Sequence, residues 1–151
     1  MDYFLDTEFN GFGRQLLSMA LVREDGESLY AVLPSPAEPD PWVEANVLPL
    51  MLDVPRAVRV CHCTAEELSA YIQWFLDGDL APRIISDWPD DIRYFCQAVI
   101  TGPGQMIAVP SLTFEVRRVD AYPTTLPGAV QHNAWWDAMA LRHLLTTAKE
   151  Q

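Results

Sequence analysis

The chain has 151 residues, half of them apolar, which is enough for one domain with its own core. No apolar run is long enough to span a bilayer, and the stretch Met1 to Asn10 carries Asp2, Asp6 and Glu8 where a secretory leader needs positive charge, so a soluble, cytoplasmic protein is expected. The odd trio Cys61, Cys63 and Cys96 argues against a disulfide framework, and the net charge of -11, with a pI near 4.4, argues against partners held by general phosphate neutralisation.

In chain order, Tyr3 to Leu5 form a short apolar run leading into Asp6. Leu16 to Val22 and Ser28 to Leu33 read as two further strands joined by a tight turn at Glu24 to Glu27, so the chain is expected to open with a three-stranded meander. Residues 34 to 41 hold four prolines and read as a loop. Thr64 opens a capping box with Glu67, and Leu68, Tyr71, Ile72, Phe75 and Leu76 follow at helical spacing. Arg83 to Ser86 read as a buried strand, after which Asp90 and Asp91 open a helix carrying Ile92, Phe95, Cys96, Val99 and Ile100. Loops rich in Gly and Pro are expected over Thr101 to Pro110 and Tyr122 to Gly128. A last helix is expected from about His132 to Lys149, with Trp136, Met139, Ala140 and Leu144 on one face. Strands first, then alternating helices and strands, predict an α/β domain over 1–151 with a mixed sheet flanked by helices and its chemistry at strand ends.

Three groups of residues carry candidate chemistry. Asp6 and Glu8, two apart on a strand, project from the same face, as two acids sharing a cation would, although Asp-x-Glu alone is as readily a solvated strand end. Asp87, Asp90 and Asp91 crowd a strand-to-helix junction, where one acid serves the helix dipole and three exceed that need. His132 precedes Asp137 by five residues, about 140 degrees apart around a continuous helix, so His132 belongs on the loop before the helix, with Asp137 in its first turns.

Together, Phe4-Leu5-Asp6-Thr7-Glu8-Phe9, the Asp at the strand-to-helix junction and His132-Asn133-Ala134-Trp135-Trp136-Asp137-Ala138 resemble the three ordered motifs of the DEDDh exonuclease superfamily. Tyr30-Ala31-Val32, Val47-Leu48-Pro49 and Cys96-Gln97 extend the likeness over nearly the whole chain, and it is closest to small bacterial exoribonucleases of the ribonuclease AS type. The resemblance implies a ribonuclease-H-like fold, two Mg²⁺ or Mn²⁺ ions, release of nucleoside monophosphates from the 3′ ends of single-stranded RNA, and a homodimer. Both Asp87 and Asp91 compete for the second-motif role. A gapless match of the strand and of Cys96-Gln97 puts Asp91 on the family's metal-binding Asp and Asp90 where the family has an aromatic residue.

The resemblance then implies Asp6, Glu8, Asp91 and Asp137 as metal ligands, His132 as general base, and backbone near Thr7 with the ring of Phe9 as contacts to the terminal nucleotide. Trp88, Trp135 and Trp136 offer further stacking surfaces, against a plainer reading as core or lid. DNA as substrate and a non-catalytic binding module on the same fold are the rival readings. A zinc site at Cys61-His62-Cys63 lacks a second ligand cluster, and a strand with incidental sulfurs is the expectation there.

Overall fold

A computed structural model describes residues 1–147 of the chain. The opening meander forms as expected: β1 (Asp2–Phe9) pairs antiparallel with β2 (Leu16–Arg23), which pairs antiparallel with β3 (Ser28–Val32). The first strand runs four residues beyond Leu5, so Asp6 and Glu8 lie within it. Its far end is tied to the proline-rich loop by Asn10, a buried side chain that donates to the Glu38 carbonyl at 3.0 Å and accepts from the Asp40 amide at 2.6 Å. Asp40 in turn caps α1 (Pro41–Asn46), accepting from the amide of Trp42 at 2.9 Å, with Pro41 in the first turn where no N–H is needed.

A short 3₁₀ turn, Leu48–Leu50, leads towards β4 (Val60–His62), which lies parallel to β3. Next comes α2 (Ala65–Leu76), whose capping box is complete, with Thr64 and Glu67 each bonding the other's backbone N–H. β5 (Arg83–Ser86) adds parallel to β1 and hands over directly to α3 (Pro89–Val99). A small hairpin, β6 (Ile100–Gly102) with β7 (Gln105–Met106), interrupts the loop expected over Thr101 to Pro110. β8 (Thr113–Val116) then adds parallel to β5, and α4 (Ala134–Thr147) closes the described chain.

The result is a mixed six-stranded sheet in the order β4-β3-β2-β1-β5-β8 with helices on both faces, an α/β architecture. Alternation along β1 sorts its side chains: Tyr3 and Leu5 enter the core beneath α2 and α3, while Phe4 enters the core beneath α4. Among the described residues no helix is long and apolar enough to cross a membrane.

Two helix expectations change. α3 ends at Val99, and Ile100 has extended backbone and is 59% exposed in the hairpin, so its buried set is Asp91, Tyr94, Phe95 and Val99. α4 starts at Ala134, with His132 on the preceding loop and Lys149 outside the described residues. Its buried residues are Ala134, Trp135, Trp136, Ala138, Ala140, Leu141 and Leu145, so Trp136 and Ala140 of the expected face are buried, Met139 is half-buried and Leu144 is 37% exposed. Apolar residues cover much of this helix's circumference, and packing on β1 and β2 selects the stripe whose alanines allow close approach.

Candidate metal centre

β5 pairs with β1 only over Asp2 to Phe4, so beyond Phe4 that edge of β1 has no strand beside it. The first turn of α3 fills the gap. Asp91 Oδ1 accepts the Thr7 backbone N–H at 3.1 Å and the Thr7 hydroxyl at 2.6 Å, and Asp91 Oδ2 accepts the Ser86 hydroxyl at 2.6 Å. Asp91 is 2% exposed and thereby fixed at the strand end. Asp6 and Glu8 leave β1 towards the opposite face, where the first turns of α4 carry Asp137.

The carboxylates converge in two groups that share one residue. Oxygens of Asp6, Asp87 and Asp91 lie within 4.8 Å of one another, and so do oxygens of Asp6, Glu8 and Asp137. All four predicted carboxylates are therefore brought together, and Asp87 joins them. Competition between Asp87 and Asp91 for the second-motif role becomes a joint position: both stand beside Asp6, Asp91 buried and oriented by three donors, Asp87 half-buried.

Packing this many acids together raises their affinity for protons. Burial pushes Asp6 well above the usual carboxylate range, with the charges of Asp91, Asp137, Glu8 and Asp87 adding to the effect. Glu8 is pushed up to about 8 by burial and by Asp137 and Asp91. Burial takes Asp137 up to about 7, opposed by backbone hydrogen bonding at Asn133 and His132. Asp91 rises to about 6, burial being partly offset by its bonds from Ser86 and Thr7. Asp87 is raised by burial, with Arg118 acting in the other direction.

None of the ion pairs among the described residues includes Asp6, Glu8, Asp87, Asp91 or Asp137. An all-carboxylate donor set that enters no ion pair among the described residues fits hard divalent cations such as Mg²⁺ or Mn²⁺, whose charge relieves the mutual repulsion. Neither group contains Cys61, His62 or Cys63, which lie on and just after the edge strand β4.

His132 is half-buried with left-handed backbone, φ 59°, and its ring meets the Trp42 indole edge to face, centroids 5.0 Å apart. The next residue, Asn133, is fully buried and caps α4: its Oδ1 accepts from the amides of Trp135 and Trp136 at 3.1 and 3.3 Å. Its Nδ2 donates to the Leu50 carbonyl at 2.8 Å, binding the start of α4 to the 3₁₀ turn. The corner bearing His132 and Asp137 is thus held from two sides. Asn133 and Trp42 were not singled out from the sequence. A polar residue directly before a helix is a cap signal that identifies the first, whereas nothing local marks the second.

Thr7 is 5% exposed and both its donors go to Asp91, which places it as a support of the carboxylate. Phe9 is half-buried and stacks on Tyr94, centroids 4.9 Å apart and planes 29° apart. Trp135 and Trp136 are core residues, 7% and 8% exposed, while Trp88 stands 48% exposed at the lip between Asp87 and Asp91. Comparison with protein-family models and with curated proteins finds no match.

Proposed function

We propose that the chain is a metal-dependent 3′-5′ exonuclease of the DEDDh type on a ribonuclease-H-like fold, removing nucleoside monophosphates from single-stranded RNA. The observation that carries this reading is the convergence of Asp6, Glu8, Asp91 and Asp137, from three separate elements, on two oxygen groups sharing Asp6, with His132 beside Asp137 on the same corner. An antiparallel meander continued by parallel strands, with helices on both faces, is in keeping with the fold.

In this reading Glu8 and Asp137 would hold one divalent ion and Asp91 and Asp87 the other, with Asp6 belonging to both oxygen groups. Such a pair, when bound, orients the scissile phosphate and stabilises the charge on the entering and leaving oxygens. Asp91 needs its three donors to present an oxygen in a fixed direction, since a carboxylate swinging on its χ angles would not hold the geometry. His132 would take the proton of the attacking water on a ring nitrogen; its ring belongs to neither carboxylate group and packs against Trp42 at the edge of the site. Phe9, braced by Tyr94, offers an aromatic edge next to Glu8 for the terminal nucleoside.

The strongly acidic chain is compatible with a nucleic-acid substrate if attraction is local, at the bound cations, and directed at a chain end. RNA is favoured by family likeness, DNA being the competitor at the same site. Chromatography of the products from a single-stranded oligonucleotide incubated with Mn²⁺ tests the reaction class. Nucleoside monophosphates are expected, while inorganic phosphate or internal fragments as the first products would contradict it.

A further inference from the structure

Of the nine arginines, Arg23, Arg83, Arg93 and Arg117 are held by carboxylates, and Arg14 and Arg142 by backbone carbonyls. Arg56, Arg59 and Arg118 enter none of these pairings among the described residues, and of the three it is Arg118 that lies beside the carboxylate cluster. Its guanidinium enters none of the hydrogen bonds or ion pairs among the described residues, yet it lies over the Trp88 ring, 4.6 Å from the centroid, and its charge acts on Asp87.

Trp88 is held although it is half open to solvent. Its indole N–H donates to Asp90 Oδ2 at 3.2 Å, Asp90 is fixed by Arg93 at 2.9 Å, and its backbone N–H donates to the Ser86 hydroxyl at 3.0 Å. A large indole kept exposed in one orientation, next to two of the clustered carboxylates, is a surface prepared for a flat ligand. A guanidinium stacked on an indole keeps its N–H donors free in its own plane, in the fork geometry that matches phosphate oxygens.

We propose that Trp88 and Arg118 form a subsite for single-stranded nucleic acid beside the carboxylate cluster, the indole stacking a base and the guanidinium contacting a backbone phosphate upstream of the cleaved bond. This rests on the nuclease reading for its ligand and adds where the strand lies. Stacking is indifferent to base identity, so the subsite holds any sequence. In a chain of net charge -11, one arginine freed for phosphate at the mouth of the site contributes a large share of the attraction.

Fluorescence anisotropy of a labelled single-stranded RNA decamer tests the subsite, with Ca²⁺ replacing Mg²⁺ to hold back cleavage. Arg118→Ala is expected to weaken binding about tenfold and to flatten the dependence of log affinity on log salt by roughly 0.7. Arg118→Lys restores the salt slope but only part of the affinity, because the planar stack is lost. Trp88→Ala weakens binding about tenfold and Trp88→Phe by less. Wild-type affinity and salt slope in both alanine variants overturn the subsite, and so does a wild-type protein that does not bind the decamer. A decamer held through Trp88 and Arg118 but never shortened in Mg²⁺ or Mn²⁺ keeps the subsite and refutes the nuclease reading. A decamer shortened and bound independently of both residues does the reverse.

Discussion

Thr7 gives both of its donors, the backbone N–H at 3.1 Å and the hydroxyl at 2.6 Å, to one oxygen of Asp91. The strand that carries Asp6 and Glu8 is thereby joined to the helix that carries Asp91, at the place where β5 stops pairing. Thr7→Val keeps the shape and the backbone bond but removes the hydroxyl. With Asp91 ionised, the loss is about 1.5–3 kcal/mol, as for a hydrogen bond to a charged group. Urea unfolding at pH 8 in EDTA measures it, and an unchanged midpoint would show that the hydroxyl bond contributes nothing.

The clustered acids set an unusual pH dependence for the metal-free protein. Their folded-state pKa values are raised, to about 6 for Asp91, about 7 for Asp137 and about 8 for Glu8, so the folded state holds protons that the unfolded chain releases near pH 4. The stability they contribute is complete below the unfolded values and is lost as pH climbs to about 8. In EDTA, melting temperature is expected to fall from pH 5 to 8, and Mg²⁺ or Mn²⁺ to reverse most of the fall at the alkaline end by binding the folded form. A melting temperature that stays level or rises over that range in EDTA contradicts the clustering.

Asn133 does two separable jobs at the start of α4. Asn133→Ala removes the cap and leaves the Leu50 carbonyl without its donor, costing about 2–4 kcal/mol from the two losses together. Asn133→Asp keeps the cap acceptor but loses the donor and adds a buried charge to an acidic neighbourhood, so it is expected to gain little over Ala at pH 8. Thermal melts of the two variants decide this, and a near-wild-type Asp variant would mean that capping alone matters.

What was legible in the sequence follows the range of the interactions involved. The Thr64 and Glu67 capping box and the shared face of Asp6 and Glu8 are local patterns, and both could be read directly. Leu112 to Arg117 alternates apolar and polar residues, a strand pattern, but it is short and lies between loops rich in Gly and Pro, and at the sheet edge Phe114 and Val116 stay exposed rather than entering the core. The α4 stripe depended on which apolar residues met β1 and β2, a tertiary choice. Asp87 and Asp91 could not be separated by spacing, since their positions depend on where β5 stops along β1 and how the first turn of α3 fills that gap.

That geometry still makes the two aspartates unequal. In Asp91→Asn one carboxylate oxygen becomes an NH₂ facing the Thr7 or Ser86 donors, so the orientation of the group and its charge are lost together. Asp87, half-buried and outside this network, keeps its surroundings when changed to Asn. Cleavage rates are expected to fall at least a hundredfold in Asp91→Asn and by much less in Asp87→Asn. The reverse order would exchange their roles.

The most direct test of the central claim is a time course with 5′-labelled single-stranded RNA and DNA of equal sequence, in Mg²⁺, Mn²⁺ or EDTA, for wild type and His132→Ala. The account predicts a ladder shortening from the 3′ end, faster on RNA, absent in EDTA and lost in the variant. Strands left intact by the wild-type protein under every metal would contradict it and leave a binding module as the reading of the carboxylate site.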